Sequence, residues 1–199
     1  VIYNGVVFKE TDDQVDEIIS YGGIKLGCIA RLSEQKGLTY LLDAMSLLTV
    51  KDIRLFIVGD GELRNELENK VKELHLQDSV TFLGYRNDIV ECINSFDFCV
   101  LPSVFEGFGL VAIEAFMNGK TIVATDIPGL NEVVTNKNGI LVPAKDPVAL
   151  ASAIDKLATD ATLRQKLASQ AKKDYENKFS YPLFLENYRE LYRELKGES

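Results

Sequence analysis

Two glutamates, Glu106 and Glu114, stand eight positions apart across a glycine-rich turn, in the run Ser103-Val104-Phe105-Glu106-Gly107-Phe108-Gly109-Leu110-Val111-Ala112-Ile113-Glu114. Such a turn lets backbone N–H groups approach an anion, and a helix starting just beyond it adds the positive end of its dipole. From Leu110 to Met117 every residue except Glu114 is apolar, the pattern of a buried helix. A lone buried carboxylate is costly unless it is hydrogen-bonded or paired. Glu114 therefore needs partners: ribose hydroxyls on a functional reading, an internal salt bridge or cap on a structural one. Glu106 is either a loop group beside a ligand or a solvated surface charge.

Cations occur in a second loop, Arg31-Leu32-Ser33-Glu34-Gln35-Lys36-Gly37, which follows an apolar run and opens a helix. Arg31 and Lys36 beside a helix N-terminus suit a diphosphate, although exposed charges of this kind are ordinary. Gly59-Asp60-Gly61 contains half of a dinucleotide fingerprint, but Arg64 stands where the third glycine belongs, so a tight turn and a ligand-facing backbone remain equal readings of Gly59. Tyr85 and Arg86 could set backbone groups against a base edge, and Asn87 could equally be a helix N-cap. Asp126-Ile127-Pro128-Gly129 is a further turn that could line the same cleft. The single His75 has no Ser, Cys or metal-ligand companion and reads as a helix-terminal residue.

These loops are placed by alternation. Apolar runs at Ile24 to Ala30, Ile53 to Val58, Val80 to Leu83, Phe98 to Leu101, Thr121 to Ala124 and Gly139 to Val142 predict strands. Helix-length stretches at Gly37 to Leu48, Glu62 to Leu74, Asp88 to Ser95, Leu110 to Asn118, Leu130 to Thr135 and Pro147 to Thr159 follow them in turn. The fold class expected is α/β, a Rossmann-like doubly wound parallel sheet with helices on both faces, whose ligands bind at the carboxyl ends of the strands. Asp146 before Pro147 and Gly119 after the Leu110 to Asn118 stretch supply a start and a stop. Two helices, Thr162 to Asn177 and Pro182 to Lys196, end the chain. The last carries Leu185, Tyr188, Leu191, Tyr192 and Leu195 in a stripe that reads as core packing in preference to a partner face.

With 199 residues, 46% hydrophobic and 26% charged, the chain can bury the core of one domain. A net charge of -8 argues against nucleic acid as a partner. Cys28, Cys92 and Cys99 lie in apolar runs without metal-ligand spacing, which suggests a reducing compartment. No stretch has the length of a membrane span, and the opening residues have no basic leader region, so a cytoplasmic location is expected. Beginning at Val1, the chain reads as a piece of a longer protein.

Taken together, Arg31 with Lys36-Gly37, Phe56 to Gly61, Phe82-Leu83-Gly84-Tyr85 and above all Glu106 to Glu114 resemble the C-terminal domain of family 4 retaining glycosyltransferases. The similarity runs from about Asn4-Gly5-Val6 to the last helix. It implies that residues 1–199 are the nucleotide-sugar-binding half of a GT-B fold, two Rossmann-like domains facing across a cleft, with an N-terminal acceptor domain lying outside the chain. It also implies that Arg31 and Lys36 contact the donor diphosphate, Glu114 the ribose and Glu106 the transferred sugar. The backbone of Phe108, Gly109 and Leu110 would serve the diphosphate and sugar, and Tyr85-Arg86 the base. No metal or other cofactor is implied. The donor is a nucleotide sugar, the acceptor a glycan or lipid held by the other domain, and peripheral membrane association of the whole enzyme is compatible with this. A sugar-nucleotide epimerase of the same fold and a non-catalytic nucleotide-sugar-binding module are the alternatives. A two-carboxylate glycoside hydrolase ranks lower, because hydrolysis needs no basic diphosphate loop.

Overall fold

The computed structural model describes Tyr3, Gly5 and residues 11–196. Asn4 and Val6, where the resemblance begins, lie outside the described residues. Six strands form one wholly parallel sheet in the order β3-β2-β1-β4-β5-β6. They are β1 (Ile24–Ile29), β2 (Ile53–Val58), β3 (Val80–Gly84), β4 (Phe98–Leu101), β5 (Ile122–Thr125) and β6 (Gly139–Val142). Each expected strand is present within a residue or so at its ends. The helices are α1 (Asp16–Ile19), α2 (Leu38–Leu47), α3 (Arg64–Glu73), α4 (Ile89–Ser95), α5 (Leu110–Met117), α6 (Leu130–Val133), α7 (Pro147–Thr159), α8 (Ala161–Asp174) and α9 (Tyr181–Lys196). The short α1 was not legible in the sequence, since four residues are too few to show a period.

The strands are continuous apolar runs because both faces are covered. Leu55 and Ile57 of β2 and Phe98 and Val100 of β4 point into one core, shared with α2, α3 and α7. Their neighbours Phe56, Val58, Cys99 and Leu101 point into the other, shared with α4, α5 and α6. The three cysteines are buried and unbridged, and desolvation pushes the thiols of Cys28 and Cys99 up to about 12 and that of Cys92 to about 11. The helix signals act as read. The Asp146 side chain accepts from Ala149 N–H at 2.9 Å with Pro147 in the first turn, and Gly119, at φ 63°, follows the end of α5.

Two expectations at the C-terminus are corrected. The α8 helix ends at Asp174, and residues Tyr175–Phe179 form one π-helical turn that carries Phe179 into the core at 2% exposure. Beyond it, α9 has no buried residue, and Tyr188, Leu191, Tyr192 and Leu195 are 39%, 39%, 62% and 74% exposed. The stripe is not core, because the sheet faces are already covered by earlier helices and α9 packs chiefly on the π turn.

Candidate functional site

The helices after β1 and β4 leave toward opposite faces, so the loops that follow these two adjacent strands diverge. This is the topological switch point, where an open parallel sheet leaves a crevice for a ligand. Arg31, Lys36, Glu106, Phe108, Gly109, Leu110 and Glu114 are carried by these two loops and the helix α5.

The loops are laced together at their base. Val104 N–H donates to Gln35 O at 2.8 Å, and Gln35 Nε2 donates to Phe105 O at 3.2 Å. Gly37, at φ 65°, ends a 3-10 turn over Glu34–Lys36 and begins α2, and an added Cβ would stand 2.1 Å from Pro102 O. Both the left-handed backbone and the missing side chain are needed there. Gly37→Ala should destabilise the chain by more than about 2 kcal/mol, from left-handed strain plus a backbone clash, as read by urea unfolding. An unchanged midpoint would mean that the loop relaxes freely.

This lacing brings Lys36 to Glu106. Lys36 Nζ donates to Glu106 Oε2 at 2.6 Å, and Ser103 Oγ stands 3.4 Å from the same oxygen. Both side chains are largely enclosed, at 20% and 16% exposure. Gly129, in the loop after β5, lies beneath this loop; an added Cβ would meet the carbonyl oxygens of Glu106 and Gly107 at 2.5 and 2.8 Å. The turn at Asp126 to Gly129 thus supports the site from below.

Gly109 is the N-cap of α5, and among the described residues the N–H groups from Phe108 to Val111 have no acceptor. Unpaired donors and the dipole make this a place for anionic oxygen. The helix is not buried all round. Ala112, Ile113, Ala115, Phe116 and Met117 are enclosed, whereas Leu110, Val111 and Glu114 form a partly open stripe. Glu114 lies one turn along from Leu110, on the same side. No donor or cation meets its carboxylate among the described residues, so the internal salt bridge is not formed. Burial pushes the carboxyl up to about 7.

Other candidates are placed less centrally. Arg31 is 73% exposed and donates to Glu62 Oε2 at 3.2 Å. Glu62, which follows Gly61, is held below the usual carboxylate range chiefly by its own backbone N–H and secondarily by Arg31. The sequence carried no signal for Glu62, whose proximity comes from the pairing of β1 with β2. Gly59 has an internal reason to be glycine, because an added Cβ would stand 2.0 Å from Ala30 O. Tyr85 is 76% exposed at the end of β3. Arg86 is clamped to Asp88 through two hydrogen bonds, Nε to Oδ1 at 2.8 Å and Nη2 to Oδ2, which raises the Arg86 pKa and lowers that of Asp88. The N-cap position of α4 is Asp88, not Asn87, and its carboxylate caps no backbone N–H because Arg86 holds it. His75 sits in left-handed backbone after α3, away from the crevice.

The loops after β3, β2, β1 and β4 therefore follow one another along the carboxyl edge, carrying in turn Tyr85-Arg86, Gly59, Arg31-Lys36 and Glu106. The family model for group 1 glycosyl transferases matches residues 9–174. A D-inositol 3-phosphate glycosyltransferase from Corynebacterium urealyticum is 34% identical over 85% of this chain and 43% of its own length. Among solved structures, Anabaena HepE in complex with UDP and glucose is similar with a TM-score of 0.84 and 27% identity, over 96% of this chain and 55% of that one. The C-terminal domain of a group 1 glycosyl transferase protein, LpcC of Francisella tularensis, is similar with a TM-score of 0.77 and 26% identity, over 90% of this chain and 97% of that domain. The chain spans about half the length of the curated relatives it matches. With the family model covering most of the sequence and the site loops lying where an open parallel sheet binds its ligand, the chain belongs to the group 1 glycosyl transferases.

Proposed function

We propose that residues 1–199 form the nucleotide-sugar-binding half of a GT-B enzyme that transfers a hexosyl group from a nucleotide-diphosphate sugar to an acceptor hydroxyl with retention of configuration. The observation that carries this reading is the convergence, at one switch point, of the Lys36–Glu106 pair with the N–H groups that begin α5 and the Glu114 carboxylate, which have no partners among the described residues. The donor's diphosphate lies between the two loops, against Lys36, Arg31 and the start of α5. Glu114 accepts from the ribose hydroxyls, Tyr85-Arg86 border the base, and Glu106 lies beside the transferred sugar. The UDP and glucose bound to HepE are consistent with such a donor.

In the reaction the bond from the sugar's anomeric carbon to the diphosphate oxygen breaks and a bond to the acceptor oxygen forms on the same face. The acceptor's proton passes to the departing phosphate. Negative charge grows on that phosphate, and preorganised cations and helix N–H groups stabilise it where it develops. The acceptor glycan or lipid is held by a preceding domain, so this half alone binds donor without appreciable transfer.

Calorimetry with uridine, UDP and UDP-glucose tests the donor site. The parent should bind UDP more tightly than uridine, with strong salt dependence. Arg31→Ala should weaken UDP by about 1.5 to 3 kcal/mol and leave uridine nearly unchanged. Its unfolding midpoint should stay close to the parent's, since the Arg31–Glu62 pair is exposed and screened by solvent. Equal affinity for uridine and UDP would sink the diphosphate assignment.

A further inference from the structure

The donor loop contains a tripeptide, Gly107-Phe108-Gly109, in which the only side chain is a phenyl ring. Two flanking glycines leave the backbone much freedom, so the ring adds a side-chain anchor for the N–H groups that begin α5 to the backbone packing of Gly129 beneath Glu106 and Gly107. The ring is not packed by its own loop. Phe108 stacks on Tyr3 with centroids 5.8 Å apart and planes 20° apart, and meets Phe179 edge-on at 6.3 Å. Tyr3 and Phe179 also touch, edge to face at 5.5 Å, so the three rings form a closed triad from three distant parts of the chain.

The segment that carries Phe179 is tied into the fold. Phe179 is the last residue of the π turn, whose preceding residue Asp174 is 8% exposed and accepts from Asn138 Nδ2 at 2.8 Å and Gln170 Nε2 at 3.2 Å. Asn138 in turn donates to Val133 O at 3.1 Å and accepts from Thr135 N–H at 2.7 Å, which ties the turn to the segment between α6 and β6. Two residues beyond Tyr3, Gly5 passes so close to the start of α9 that an added Cβ would stand 2.7 Å from Phe184 Cβ and 2.9 Å from Tyr181 Cα. A π turn that departs from the regular helix to bury one phenylalanine against a ligand loop is placed as functional π turns often are.

We propose that Tyr3 and Phe179 are positioning residues for the donor loop, holding Phe108 so that the N–H groups at the start of α5 keep the geometry that receives the diphosphate and sugar. This rests on the donor reading above. Neither residue touches the ligand; they act through Phe108.

The test uses this chain with Tyr3→Leu, Phe179→Leu and the conservative Tyr3→Phe. UDP-glucose and UDP are titrated by calorimetry, uridine by NMR, and amide hydrogen exchange is followed at residues 107–111. In Tyr3→Leu, affinity for UDP and UDP-glucose should fall about five- to tenfold, the factor expected for loss of an aromatic pair, while that for uridine changes less than about twofold. Loop amides should exchange faster, and Tyr3→Phe should restore both. Phe179→Leu should show the same ratio of UDP to uridine effects even where its unfolding midpoint falls. Equal losses for UDP and uridine, or unchanged exchange in the loop, would overturn the proposal. If the parent bound neither UDP nor UDP-glucose, the donor reading would fail and take the ligand role of the triad with it, while the exchange measurement would still decide whether the triad orders the loop.

Discussion

Replacing Glu114 with glutamine is expected to make the unliganded chain more stable at alkaline pH and less able to bind any ribose-bearing ligand. The carboxyl is pushed up to about 7 by burial without a compensating partner among the described residues, from an ordinary value of 4.5. The folded state therefore holds a proton that the unfolded state releases between these values. The stabilising contribution is fully present below the unfolded pKa and is lost as pH rises through the folded one. Glutamine, close in shape to the protonated acid, does not titrate. Parent and variant should unfold alike near pH 4.5, and by pH 8 the variant should lead by about 1 to 3 kcal/mol, with the full shift as the upper bound. Urea unfolding at the two pH values measures this difference, and groups common to both proteins cancel. A gap that does not grow with pH would show that the carboxylate finds a partner in the free protein. On the proposed donor reading, ribose hydroxyls would donate to Glu114 and favour its ionised form, so binding should release protons near pH 7. Uridine, UDP and UDP-glucose should all be weakened by the substitution. The isolation of this carboxylate is then a cost of folding that the ligand relieves.

Lys36→Met should have the other large effect, and on two quantities at once. It leaves Glu106 largely enclosed without its cation, 16% exposed and keeping only the Ser103 hydroxyl at 3.4 Å. Breaking an enclosed pair on one side costs more than replacing both partners. We expect Lys36→Met to lower stability by about 2 to 3 kcal/mol and the double variant Lys36→Met/Glu106→Gln to recover most of it, as a double-mutant cycle by urea unfolding would measure. Both variants should lose about 1.5 to 3 kcal/mol of UDP affinity, because the ammonium has further N–H donors for phosphate. Glu106→Gln alone should leave UDP affinity nearly intact. If the single Lys36 variant were as stable as the double one, the pair would be incidental to the fold. On the proposed donor reading, Glu106 in this arrangement holds Lys36 in place at the crevice.

The sheet was legible because burial on both faces writes each strand as a short, unbroken apolar run, as at Ile53 to Val58, and because helix-length spacers allow only parallel crossovers. From that pattern the carboxyl-edge loops could be named as the candidate site. The Lys36–Glu106 contact could not, since it joins residues seventy positions apart through the adjacency of β1 and β4. Glu114 stands out in the sequence as a carboxylate in an apolar run, and among the described residues no donor or cation meets it. The helix that carries it was misjudged as wholly enclosed, because apolar residues such as Leu110, 46% exposed, can line an open crevice as well as a core. The same ambiguity misled the reading of α9, where an apolar stripe records that a face is suited to burial without saying what buries it. The Arg86–Asp88 clamp was missed for a different reason: a short polar segment offers several local hydrogen-bonding schemes, and only the backbone path selects among them.

The three enclosed thiols have a practical consequence. Alkylating reagents attack thiolates, and burial both denies them access and keeps Cys28, Cys92 and Cys99 protonated through the neutral range. Cys28 and Cys99 lie on β1 and β4, the adjacent pair in the middle of the sheet, so a reagent can reach them only when the centre of the sheet opens. Their labelling rate is thus a built-in clock for global opening. A single cysteine introduced on the surface, on α9 for instance, can be tagged in the native protein while the three natural ones stay silent.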